Sequence, residues 1–197
     1  GVNPFLPSGE IPGMARDSDG NVWIADAAAL HRWDGTAWTT ISGGWGLENL
    51  ERVNALAIGP DDTIWLGTEG GLLRWTGSGS PTLFTTANSP LPTNPVKGVA
   101  VRSDGMLAVA ASKFQSVTPF PCGLCIVSGD PAVPSHWTVY GWGTSPLPHY
   151  QLGAVAFDPR GDLWVSTLSE GVAIVETGSG VTGLEPPIGA LPTQLAL

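Results

Sequence analysis

An all-β fold of repeated four-stranded antiparallel units is what this sequence predicts, and three observations predict it. A turn-then-strand phrase recurs as Asp19-Gly20-Asn21-Val22-Trp23, Asp62-Thr63-Ile64-Trp65, Asp104-Gly105-Met106-Leu107-Ala108 and Arg160-Gly161-Asp162-Leu163-Trp164. A second marker keeps step with it: Leu6-Pro7, Leu47-Glu48, Leu91-Pro92, Leu147-Pro148 and Leu191-Pro192. The 27 Gly and 18 Pro in 197 residues suit a turn-dense chain, and no segment carries an i, i+3, i+4 apolar rhythm over a helix's length. Units of about 42 to 56 residues built this way have the dimensions of β-propeller blades.

Each unit resolves into four short strands. The innermost are expected at Ile11 to Ala15, Val53 to Ile58, Val96 to Val101 and Leu152 to Phe157, rich in Gly and Ala because inner strands crowd around an axis. A tight turn follows, with Gly20 in the left-handed region. Asp62 takes that place in the second unit, and Asp is among the few residues that tolerate positive φ; from the turn alone, Asp62→Gly is expected to stabilise slightly. Second strands carry the Trp position, Val22-Trp23-Ile24, Ile64-Trp65-Leu66 and Leu163-Trp164-Val165. Third strands read Leu30 to Trp33, Leu72 to Trp75, Leu124 to Val127 and Val172 to Val175; outer strands fall at Trp38 to Ile41, Thr82 to Phe84, Trp137 to Tyr140 and Val181 to Leu184. Near-continuous apolar strands imply sheets covered on both faces. Trp23, Trp65 and Trp164 are therefore expected to wedge between adjacent blades, each contributing on the order of 4 to 6 kcal/mol at most.

The blades are expected at about 11–47, 53–91, 96–147 and 152–191, in a single domain. The third departs from the pattern: Ala108 replaces Trp, and an insertion at Phe114 to Pro121 either folds back over the vacancy or projects as a loop. Four units, with Leu191 to Leu195 resembling the start of a fifth, imply a four-bladed ring, part of a larger ring, or an open one completed by another chain.

Seventeen carboxylates against two lysines and six arginines leave a net charge of −9, with no basic stripe, which excludes nucleic acid as a partner. No apolar run reaches the roughly 20 residues needed to span a bilayer, so no membrane insertion is expected. Gly1 to Ser8 hold no signal-peptide pattern. Cys122-Gly123-Leu124-Cys125 lacks the further ligands of a zinc site, which leaves a local disulfide or two thiols. No metal and no cofactor is expected.

Asn88-Ser89-Pro90-Leu91-Pro92-Thr93-Asn94-Pro95-Val96 and Asp61-Asp62-Thr63-Ile64-Trp65-Leu66-Gly67-Thr68-Glu69-Gly70-Gly71-Leu72 resemble two-component regulator propeller repeats. The resemblance runs through all four units, most fully the second and fourth. It implies a sensing or binding module in the periplasm or outside the cell, and it carries over no catalytic residue.

Candidate sites follow from loop position. Glu69 and Glu170 lie in equivalent loops beside Gly70 and Gly171, where paired acids could bind a cation or work on a sugar. Trp45 and Trp142, each flanked by glycines, are stacking surfaces outside the blade period. With Arg52, Phe114 and Phe120 they form the expected recognition set for a protein, small molecule or glycan. Asp17, Asp19 and Asn21 have calcium-loop spacing but lack its glycine and closing acid, so turn geometry explains them better. His31, His136 and His149 fall at unrelated positions, which disfavours a triad. The expectation is a non-catalytic recognition module. Its rivals are a structural subunit docked on a larger assembly and an enzyme resembling streptogramin-lyase propellers.

Overall fold

The structure, a computed structural model, describes residues 10–26, 29–41, 52–113, 122–141, 144–145, 147–177 and 184–185. Sixteen strands form four antiparallel sheets, each paired in chain order, so the four-stranded blades follow the sequence. Blade 1 holds β1 (Gly13–Arg16), β2 (Val22–Ala25), β3 (Leu30–Trp33) and β4 (Trp38–Ile41). Blade 2 holds β5 (Val53–Ile58), β6 (Ile64–Thr68), β7 (Leu72–Trp75) and β8 (Thr82–Phe84). In blade 3 are β9 (Val96–Val101), β10 (Leu107–Ala111), β11 (Gly123–Val127) and β12 (Trp137–Gly141); in blade 4, β13 (Leu152–Phe157), β14 (Leu163–Thr167), β15 (Val172–Val175) and β16 (Leu184–Glu185). The helical element among the described residues is one 3-10 turn, Pro134–His136.

The first strand begins at Gly13 rather than Ile11, because Pro12 has no N–H to give the ladder. Of the last, Leu184–Glu185 are strand, and residues 181–183 lie outside the described residues. The turns match expectation: Gly20 and Gly105 have φ of 89° and 88°, and Asp62 takes their place at 59°.

Inner strands neighbour one another in chain order, β1 beside β5, β5 beside β9, and β9 beside β13. Gly98 shows how close they come, since a Cβ added there would lie 2.4 Å from the Gly153 carbonyl oxygen. The core lies in the three seams. Trp23, Leu56, Ile64, Leu73 and Trp75 fill the first, with the two indoles edge to face at 6.3 Å. Trp65, Phe84, Val99, Cys125 and Trp137 fill the second. Among the described residues the third holds no indole, and Ile126, Leu147, Leu152 and Val165, flanked by Met106 and Phe157, occupy it around Ala108. Phe114 and Phe120, for which filler and projecting loop were the two alternatives, lie outside the described residues.

One expectation is corrected. Trp65 is 7% exposed, whereas Trp164 at the equivalent place is 41% exposed. Its neighbour Val172 is 46% exposed where the matching Leu72 is fully buried. Trp164 does not wedge between described blades: among the described residues no sheet lies against this face of blade 4, and β13 and β1 are not adjacent as the other inner strands are. The four blades form an open arc.

Candidate functional site

Antiparallel pairing sends the loops of every blade to two rims. The turns between first and second strands, and between third and fourth, share one end, here the turn rim. The loops after each second strand share the other end, the connection rim, with the segments joining blades.

Of the expected recognition residues, Arg52, Glu69 and Glu170 belong to the connection rim. Trp45, Phe114, Phe120 and Trp142 lie outside the described residues. Arg52 pairs with Glu10 at 2.5 Å, and its carbonyl accepts the Glu69 N–H. Glu69 binds Lys97 of the next blade and accepts Asn54 Nδ2 at 3.1 Å, so its charge is spent bridging the seam between blades 2 and 3. Glu170 is exposed in blade 4. It is not the counterpart of Glu69: Leu168 is, since its N–H reaches the Gln151 carbonyl as the Glu69 N–H reaches Arg52. The loop after β14 carries one residue more than that after β6. The structure thus joins Arg52 to Glu69 and leaves Glu170 apart.

Cys122 and Cys125 form no disulfide; both are buried thiols. Three residues along an extended segment span roughly 10 Å, beyond a disulfide's reach. Burial raises both thiols, Cys125 to about 12, so neither is a nucleophile at neutral pH. The three histidines are held separately. His31 bridges Asp26 and Thr40, His136 contacts the Asp130 carbonyl, and His149 Nδ1 accepts the Gln151 N–H. Among the described residues no three His, Cys, Asp or Glu side chains converge as metal ligands. Asp17 is a turn residue, accepting bonds from Asn21 and Trp23.

Sequence reading missed the turn rim, where the seams open into clefts. Between blades 2 and 3 a cleft of about 510 Å³ is bordered by Asp61, Trp65, Arg74, Asp104 and Asp130. Its geometry follows from cross-strand register. Trp65 pairs with Arg74, whose guanidinium carbon lies 5.7 Å from the indole centroid. Arg74 Nη1 stands 4.0 Å from Asp130 across the seam, and Arg74 Nε is buried without a protein partner. Asp61 is partly desolvated, which raises its pKa, but bonds from Thr63 outweigh that and keep it low. The Arg102 side chain holds Asp104 at about 2. Both are carboxylates at neutral pH, so the cleft offers acceptors on two walls, a guanidinium donor and an indole edge. A second cleft, about 560 Å³, lies between blades 3 and 4 beside Arg102, Phe157 and Arg160. The signal available in sequence was the repeated Trp-to-Arg pairing (Trp23 with Arg32, Trp65 with Arg74), legible once strand register is known.

The family model for the two component regulator propeller matches residues 6–27, in the first unit. No curated protein matches the chain by sequence. Among solved structures, the chain is similar to a streptogramin B lyase (TM-score 0.64, 16% identity, over 93% of this chain and 56% of that one). It is also similar to the extracellular domain of a hybrid two component system from B. thetaiotaomicron (TM-score 0.65, 19% identity, over 92% of this chain and 25% of that one). A third likeness is to YCF48 bound to D1 peptide (TM-score 0.58, 11% identity, over 93% and 55%). The chain thus spans about half the lyase and a quarter of the sensor. Likeness at these identities shows the fold, and no helix among the described residues is long and apolar enough to cross a membrane. This chain is a β-propeller arc of four-stranded blades that carries a two-component regulator propeller repeat.

Proposed function

We propose that the chain is a non-catalytic, sensor-type recognition module acting in the periplasm or outside the cell, and that it takes a polar, hydroxyl-bearing ligand such as a glycan in the cleft between blades 2 and 3. The observation that carries this reading is Arg74, whose Nη1 stands 4.0 Å from the Asp130 carboxylate across the seam, both groups lining the cleft. A group bearing both donors and acceptors completes that geometry, accepting from Arg74 and donating to Asp61, Asp104 or Asp130. The Trp65 edge supplies an apolar flank. A few converging polar groups on rigid walls are what small-ligand sites commonly offer.

Calorimetric titration with a panel of oligosaccharides tests it. At least one is expected to bind, with Arg74→Ala reducing affinity about tenfold or more at unchanged melting temperature. Absence of binding across the panel, or binding indifferent to Arg74→Ala, would refute the cleft. Cell fractionation of the tagged chain checks the compartment.

A protein partner at the connection rim is a second reading, favoured by the exposed Arg52–Glu10 pair and exposed Glu170. Trp45, Glu69, Phe114, Phe120 and Trp142 belong to the same rim by sequence. The YCF48 structure shows that this fold can hold a peptide. Cross-linking at Arg52→Cys and Glu170→Cys distinguishes it, since cleft ligands leave those positions untouched.

A further inference from the structure

The inner strands present small residues toward the following blade and a larger aliphatic toward the preceding one. Gly13, Ala55, Gly98 and Ala154 share one position, as do Ala15, Ala57, Ala100 and Ala156; Met14, Leu56, Val99 and Val155 stand between them. The aliphatic enters the depression left by the small pair: a Cβ added to Gly13 would lie 2.8 Å from Leu56 Cβ. Three members of this series have no counterpart among the described residues. Ala154 and Ala156 are exposed on blade 4 beside Trp164, and Met14 on blade 1 is 69% exposed.

A second relation crosses the seams at the turn rim. In the second and third seams the first turn residue of one blade stands near the last inner-strand residue of the next. A Cβ added to Gly59 would sit 3.7 Å from Val101, and the Arg102 guanidinium carbon lies 5.7 Å from the Phe157 ring centroid. Carried one step onward, the rule sets Asp158 of blade 4 against whatever stands in the position of Arg16. Blades 2, 3 and 4 have Ile58, Val101 and Phe157 there; blade 1 has the cation. The Asp158 turn, with Asp162 and Arg160, is net negative.

We propose that a second copy of this chain covers the open face of blade 4 with its own blade 1, head to tail, Met14 entering the Ala154–Ala156 depression and Arg16 meeting Asp158. This goes beyond the cleft reading and involves none of its residues. The knob and the depression match in size, and the charges match in sign, so the two uncovered faces of one arc fit each other. Heterologous contacts of this kind close into a ring when the rotation permits.

Sedimentation equilibrium of the 197-residue chain is the test, with twice the 20.4 kDa protomer mass expected. Ala156→Arg fills the depression and Met14→Asp removes the knob, both at exposed positions. Unchanged circular dichroism would show that each variant folds. Each is expected to weaken dimerisation at least about tenfold. Mixed in equal amounts, the two variants are expected to regain a dimer, because one seam then joins two unaltered faces. Arg16→Asp is expected to weaken association and to reduce its salt dependence. A monomer at about 100 µM, the scale of weak specific affinity, overturns the proposal. So does a dimer that neither variant disturbs, or an open polymer in place of a dimer.

Discussion

Trp23 Nε1 donates to Asp17 Oδ2 at 2.8 Å, and the same carboxyl accepts both the Asn21 N–H and Asn21 Nδ2. One turn residue thereby fixes its own hairpin and the orientation of the indole that fills the first seam. Blade 4 repeats the device more loosely, with Trp164 Nε1 at 3.5 Å from Asp158. Blade 3 has lost both halves together, Arg102 standing for the Asp and Ala108 for the Trp. Asp17→Ala removes a charged acceptor from three donors and is expected to cost about 2 to 3 kcal/mol. Urea unfolding checks it; a midpoint shift as small as that of an exposed turn substitution would show that the indole needs no anchor.

The two Trp environments predict unequal costs. Trp65→Ala empties a buried seam and is expected to lose about 3 to 5 kcal/mol. Trp164→Ala, measured in the Ala156→Arg background that keeps the chain monomeric, is expected to lose less than half of that, since 41% of the residue is already in water. Equal losses would mean that the blade 4 face is covered in solution.

Asp62 sits at φ 59°, where glycine is favoured by about 1 kcal/mol. Yet its carboxylate accepts the Ser18 N–H at 2.8 Å and the Ser18 hydroxyl at 2.6 Å across the first seam. These exposed bonds offset the backbone gain, so Asp62→Gly is expected within about 0.5 kcal/mol of wild type. In a Ser18→Ala background the same change is expected to stabilise. A double-mutant cycle measures the share of the hydroxyl, the Ser18 N–H bond being kept in both backgrounds, and a coupling of zero would show that the hydroxyl adds nothing.

Acid should unfold the protein through depressed carboxylates. Arg102 holds Asp104 at about 2, and the Thr36 side chain with the Thr36 and Ala37 N–H groups holds Asp34 at about 2, both below the ordinary 3.8. A carboxylate depressed on folding contributes stability that is fully present above its unfolded value and is lost as pH falls through its folded one. The loss therefore falls between about pH 4 and pH 2. Asp104→Asn is expected to flatten melting temperature against pH in that window and to leave it unchanged from about pH 6 to 8. A flattening confined to neutral pH would contradict the assignment.

The strands, their order and their turns were legible because they depend on local chemistry. Alternating Gly, Ala and aliphatic residues mark the inner strands, positive φ selects Gly or Asp at the turn, and the repeat shows itself to the eye. The candidate cleft was not legible, since loop position pointed to the connection rim and the cleft opens at the turn rim. Counting residues placed Glu69 and Glu170 in matching loops, but the backbone bonds of Arg52 and Gln151 align Glu69 with Leu168 instead. Lys97 then takes the Glu69 charge from the neighbouring blade.

What the sequence determined by itself is the blade, since hydrophobic period, turn residues and strand length act within about fifty residues of chain. What only the tertiary structure decided is how blades meet: which indole is covered, which carboxylate finds a cation, where a seam widens into a cleft. Those outcomes depend on contacts between blades, such as Glu69 with Lys97, Ser18 with Asp62 and Arg102 with Thr177. Burial and charge pairing are properties of the neighbour as much as of the residue, and so Trp65 and Trp164, alike in sequence context, differ in their exposure to water.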